Sequence, residues 1–172
     1  GQFNVVPSGN GEDNLTIGNS PWAETENFSG TVDEVAVWNR VLGRDDIENN
    51  MYYGTEVYSD ESLIAYWNFN SGGGDVANDM SGNGHDGTLY GDPEWTDYVP
   101  DVDPPDDDGN YALQFWGDGS VEVGTTGFPT GDSPATLEAW FYRDYNVGDG
   151  VEYLVGYGGD NGEGSMFAIG LY

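Results

Sequence analysis

Every apolar run in this chain is short, and each is soon stopped by glycine, proline, asparagine or aspartate. Thr31–Trp38 reads TVDEVAVW, Leu63–Phe69 reads LIAYWNF and Thr136–Tyr142 reads TLEAWFY. β-Branched and aromatic residues dominate these runs, and they suit a pleated, partly buried surface. No heptad pattern sustains a long helix. The 28 glycines and 8 prolines supply the many turns that short strands require. The pattern predicts an all-β fold, a two-sheet antiparallel sandwich with one short helix. Leucine and isoleucine are sparse, but 6 Trp and 12 Tyr can build a core from rings that bury large areas. A length of 172 residues suffices for one sandwich, or for pieces of two.

Charge narrows the partners. Thirty-two Asp and Glu stand against 3 Arg and no Lys, a formal net of −29. Such a surface repels nucleic acid and anionic membranes, so neither is expected as a partner. No apolar run approaches membrane-spanning length, so membrane insertion is not expected either. Self-repulsion on this scale needs salt screening or bound cations. Adaptation to high salt explains acids spread over the whole surface; divalent-ion binding explains acids at particular places. The two can coexist. With no cysteine, disulfides and thiolate metal sites are excluded. Export stays compatible with that, because calcium can staple surface proteins through carboxylate oxygens. The chain starts at Gly1 and is expected to be a mature or excerpted product.

Along the chain, β-type runs at Phe3–Val5 and Leu15–Ile17 flank a Gly/Asn turn. Val32, Val35 and Val37 predict a half-buried strand ending at Trp38. Arg44–Tyr52 reads as a helix, with Asp45 and Asp46 in the first turn, Ile47 and Met51 on one face, and Gly54 closing it. Residues 55–62 form a polar connector. A strand follows from Leu63, then a long Gly/Asn/Asp loop over 70–87. Residues 92–110 read as a second loop in which four prolines forbid regular pairing. Further strands are predicted at Ala112–Phe115, Ser120–Val123, Ala135–Tyr142, Tyr153–Tyr157 and Ser165–Tyr172. In the Thr136–Tyr142 run, Leu137, Ala139 and Phe141 share one face and Glu138, Trp140 and Tyr142 the other. It reads as a core strand with an aromatic concave or partner-facing side.

LTIGNSPW (15–22) and FSGTVDEVAVWNRVLGRDDIENNMYYG (28–54), with the strand from Leu63, DMSGNGHDGTLYG (79–91), YALQFWGDGSVEV (111–123) and TLEAWFY, resemble the laminin-G-like/pentraxin group of concanavalin A-type jelly rolls. The resemblance implies that residues 1–54 are the closing half of such a jelly roll and residues 63–172 its opening half, tail before head. The family's intervening strand pair, of the type W-x-HVA-x-Y-D-G followed by L-Y-V-N-G, has no counterpart here. Three arrangements follow: an excerpt of a tandem array, a permuted sandwich in which the halves pack together, or a polymer subunit whose open edge accepts strands of the next copy.

The resemblance places calcium where the Asp79, Asn83 and Asp86 loop approaches the strand carrying Asp33 and Glu34. Glycines between these oxygen donors allow the curvature that turns them inward. The structural alternative is that Asp79 and Asn83 cap turns. The run Asp101–Asp108 lacks the Gly and Glu positions of an EF-hand loop and reads as a solvated charge run. Catalysis finds little support, because the E-x-D-x-x-E pattern of jelly-roll glycoside hydrolases is absent and His85 has no evident Ser or Cys partner. Trp22 and Trp116, beside turns, are candidate stacking platforms for sugar rings; Trp38, Trp67 and Trp140 read as core or inter-domain packing. The sequence thus points to an extracellular or cell-surface structural or adhesive module, a repeating unit of a filament or long adhesin. It would be joined to copies of itself by edge strands and stabilised by calcium. The alternative is a carbohydrate-binding module of a secreted polysaccharide-active protein.

Overall fold

The computed structural model describes residues 14–20, 26–55, 60–91, 93–98, 110–144, 150–158 and 167–171. They form β1 (Leu15–Ile17), β2 (Ser29–Trp38), α1 (Arg44–Tyr53), β3 (Leu63–Trp67), β4 (Val76–Ala77), β5 (Gly87–Tyr90), β6 (Glu94–Thr96), β7 (Ala112–Trp116), β8 (Ser120–Val123), β9 (Thr136–Arg143), β10 (Glu152–Tyr157) and β11 (Phe167–Leu171). One sheet runs β11-β10-β1-β8-β5-β4. In the other, β2 pairs with β3 and β7 along one edge and with β9 along the opposite edge, and β6 extends β7. All these pairings are antiparallel, so the expected all-β two-sheet sandwich with one helix is what the chain forms. The segments before and after the connector interleave within one chain. β1 lies between β10 and β8, and β2 lies between β9 and the β3/β7 pair. The run at Phe3–Val5 and the charge run Asp101–Asp108 lie outside the described residues.

The core fills the space between the sheets with Ile17, Phe28, Val35, Trp67, Phe115 and Leu154, all fully buried. Each such side chain is worth about 1.5–3 kcal/mol of burial. Val32 and Val35 both face this core although three positions separate them. Strict alternation would turn one of them outward. A β-bulge at Asp33–Glu34, where the register with β9 shifts, supplies the extra residue, and Glu34 takes a left-handed φ of 51°. Beyond the bulge, Ala36 and Trp38 turn to the outer face, where Leu42, Leu63 and Tyr66 cover them. β2 is therefore buried on both faces rather than half-buried, because this second small cluster roofs it.

Two further expectations are corrected. Glu94–Thr96 pairs with β7 inside the stretch read as proline-broken, because those three residues fall between Pro93 and Pro100 and keep their N–H groups. β9 is no core strand: it pairs only with β2 among the described residues, and none of its residues is fully buried. Ile47 and Met51 do share the inner side of α1 with buried Asn50, but that side overlooks a cavity, leaving Ile47 44% exposed. At Gly18, φ is +84° and the Phe115 ring occupies the place a Cβ would need, so only glycine fits this corner.

Candidate functional site

Two regions hold half-buried carboxylates, Asp79 in one and Glu138 in the other. The first is the loop between β4 and β5. Asp79 Oδ1 accepts from the backbone N–H groups of Tyr66 (3.1 Å) and Ser81 (2.9 Å). Asp79 Oδ2 accepts from the His85 N–H and the Ser81 hydroxyl, both at 2.9 Å. A carboxylate offers about four acceptor positions, and here all are taken. Burial pushes this carboxyl up, but the four donors outweigh it and hold it below the ordinary aspartate range. Asp86 Oδ1 accepts from the Asp79 N–H (2.8 Å), and Asn83 Nδ2 donates to the Leu63 and Ile64 carbonyls at 3.0 Å each. Asp79, Asn83 and Asp86 are thus joined in one turn, tied to β3.

Asp33 and Glu34 sit apart, at the bulge of β2. Buried Asp33 accepts from the Glu34 N–H at 2.8 Å, and Glu34 Oε2 accepts from the Tyr66 hydroxyl at 2.6 Å. Tyr66 therefore touches both regions, one through its backbone and the other through its ring. Among the described residues, no group of three or more His, Cys, Asp or Glu converges as a metal cluster.

The second region is the side of the sandwich where β9 closes one sheet and β11 the other. Leu137 and Ala139 of β9, and Phe167, Ile169 and Leu171 of β11, pack on the core while staying partly exposed. A cavity of about 260 Å³ opens here between α1, β9 and Ile169, with Glu34, Glu138 and Trp140 in its lining. Glu138 Oε2 accepts from the Trp38 indole N–H (3.0 Å) and from Asn50 Nδ2 (2.9 Å). The Asn50 bond docks α1 on the sheet. Burial pushes the Glu138 carboxyl above the ordinary glutamate range, and the Asn50 and Trp38 donors only partly oppose this. At its far end β9 is stapled to the other sheet: Arg143 reaches the buried Glu152 through Nη2 (2.5 Å) and Nε (3.0 Å).

The tryptophans divide in the same way. Trp38 and Trp67 are buried, as the sequence suggests, while Trp140 is half-buried and lines the cavity because its strand is an edge. Trp116 is 59% exposed beside Gly117, and Trp22 lies outside the described residues. The cavity was not foreseen. Its one sequence signal is the spacing V-D-E-V, where two inward valines out of phase announce a bulge.

Residues 1–48 match a laminin G family model, the concanavalin A-like lectin/glucanases superfamily. The matched stretch is 48 of the 172 residues and includes β1, β2 and the start of α1. It supports reading the chain as a laminin-G-like β-sandwich module. Neither a curated protein nor a solved structure matches the chain.

Proposed function

We propose that this laminin-G-like sandwich is a structural or adhesive module of an extracellular or cell-surface protein, joined to further copies by strand addition along β9 and β11. The observation that supports this is the margin itself. Among the described residues, neither strand is paired on its outward edge, and the apolar side chains beneath are only half covered. Unpaired edge N–H and C=O groups are a template for another strand. Proline and lysine, the usual guards of an exposed edge, are absent from both strands. An added strand would complete the hydrogen bonding and cover Leu137, Ala139 and Ile169. Because each copy carries −29 of formal charge, joining should strengthen with salt.

Size-exclusion chromatography with light scattering, at rising sodium chloride, tests this. Larger species should grow with salt, β9 and β11 amides should gain protection from hydrogen exchange, and Tyr142→Lys, a charge on the edge strand, should restore the monomer. A monomer at every salt concentration, with unchanged exchange, would overturn the reading. Calcium enters this proposal only through Asp86, the Asn83 side-chain oxygen and loop carbonyls, since Asp79 is spent on its four donors. Its test is a melting curve with and without chelator. A second reading, polysaccharide binding, is favoured by the exposed ring of Trp116 alone.

A further inference from the structure

We propose that the cavity between α1, β9 and β11 binds an organic cation, an alkylammonium or guanidinium head group carried on a short apolar stem. The inference needs only the single chain; because an added strand would cover Leu137, Ala139 and Ile169 of its wall, it is tested on the monomer. At about 260 Å³ the cavity is near the lower end of small-ligand pockets. Ile47, Met51, Leu137, Ala139 and Ile169 give it apolar walls, and Trp140 adds an aromatic one. Among the described residues its charged groups are both carboxylates, Glu34 and Glu138, and no basic side chain lines it. An anion would be repelled.

A metal ion fits poorly. Calcium takes six to eight oxygens, whereas apolar surface forms most of this wall and, among the described residues, no three acidic groups converge. An organic cation matches both features: its charge meets the carboxylates and its stem meets the aliphatic wall. A ring such as that of Trp140 also attracts a cation over its face.

Glu138 carries the case. Both of its donors, Trp38 and Asn50, are uncharged, and no ion pair reaches it among the described residues. The chain's three arginines are committed elsewhere: Arg40 to Asp46 and Asp60, Arg44 to Glu48, Arg143 to Glu152. Arg40 acts on Glu138 only through space, without an ion pair, and Asp46 opposes it. A partly desolvated carboxylate with no ion-paired partner is costly, and a bound cation relieves that cost. The bulge contributes independently. As the extra residue of β2, Glu34 escapes the in-and-out alternation and takes a left-handed φ of 51°, which costs energy in a residue with a Cβ. Its side chain lines the cavity as a result. Bulges of this kind re-aim side chains at functional sites.

The same head group could arrive on a free amine or on a lysine or arginine side chain of another polypeptide. The intact chain is titrated with n-butylammonium chloride at fixed ionic strength, following the Trp38 indole and Asn50 side-chain amide resonances. The inference requires saturable shifts of both. The neutral counterpart 1-butanol and the variant Glu138→Gln should each bind about tenfold more weakly or worse, the loss typical of a charged hydrogen bond. A blocked lysine tripeptide that reproduces the shifts identifies a side-chain source; its failure, with butylammonium still binding, identifies a free amine. Equal responses to butanol and butylammonium in the unaltered chain, or shifts that sodium chloride alone reproduces, would overturn the inference.

Discussion

Asp79 and Glu138 are both half-buried carboxylates in a chain that carries 32 acids, and the sandwich treats them in opposite ways. Asp79 sits in a loop that closes upon it with four donors, three of them backbone N–H groups. Glu138 sits at an open margin with two side-chain donors on one oxygen and a cavity beside it. The first carboxyl is held below its ordinary range, the second is pushed above it. Where backbone wraps an acid, the acid builds structure. Where side chains from separate elements merely border it, binding capacity is left over.

The largest expected effect tests the closed side. Asp79→Ala strips acceptors from the Tyr66, Ser81 and His85 N–H groups, and should destabilise the chain by about 3 kcal/mol, with water recovering part of the loss. Urea unfolding measures it. A loss below about 1 kcal/mol would mean that the turn does not depend on its carboxylate, and the contrast with Glu138 would fail. Arg143→Gln comes next, because it cuts the staple that holds the end of β9 to β10 and leaves Glu152 buried without its counter-charge. Removing one partner of a buried pair is costly, but Arg143 is itself partly exposed, so about 2 kcal/mol is expected. Faster hydrogen exchange confined to β9 would show that the staple secures the margin. Trp116→Ala should change stability by no more than about 0.5 kcal/mol, since its ring is mostly in solvent. If a glycan array detects binding to the unaltered chain, that variant should abolish it.

Much of the closed side was legible in the sequence and little of the open side. The Val and aromatic runs announce strands through composition, and Asp45, Asp46 and Gly54 announce the ends of α1; the Asp46 carboxylate indeed accepts from the Gly43 N–H at 2.9 Å. Capping of a turn by Asp79 is also a local event that local sequence can express. The margin is different. Glu34, Asn50, Glu138 and Ile169 meet only after β2, α1, β9 and β11 have packed. That TLEAWFY should read as core and yet form an edge has the same origin: alternation fixes which face a residue takes, while the number of neighbouring strands is a matter of topology.

The smallest effect decides whether Glu138 is kept for structure or for binding. In Glu138→Gln an amide oxygen can still accept from Trp38 and Asn50, and only the charge is lost. At neutral pH the change should be within about 0.5 kcal/mol and of stabilising sign, because burial disfavours the ionised form. The pH dependence separates the two acids. Raised in the folded chain, the Glu138 carboxyl contributes stability that is complete below the ordinary glutamate value and is lost as pH rises through its folded value. Asp79, depressed in the folded chain, contributes stability that is complete above the ordinary aspartate value and is lost as pH falls through its folded value. The stability of the unaltered chain relative to Glu138→Gln should therefore fall as pH rises from the acid side, and relative to Asp79→Asn it should climb. Unfolding measured across that range, with Asp46, Arg40 and Glu34 left in place as the charges nearest the margin, gives both curves. If the Glu138 curve rose with pH instead, its negative charge would be a structural asset already compensated by the fold, and no cation would be needed beside it.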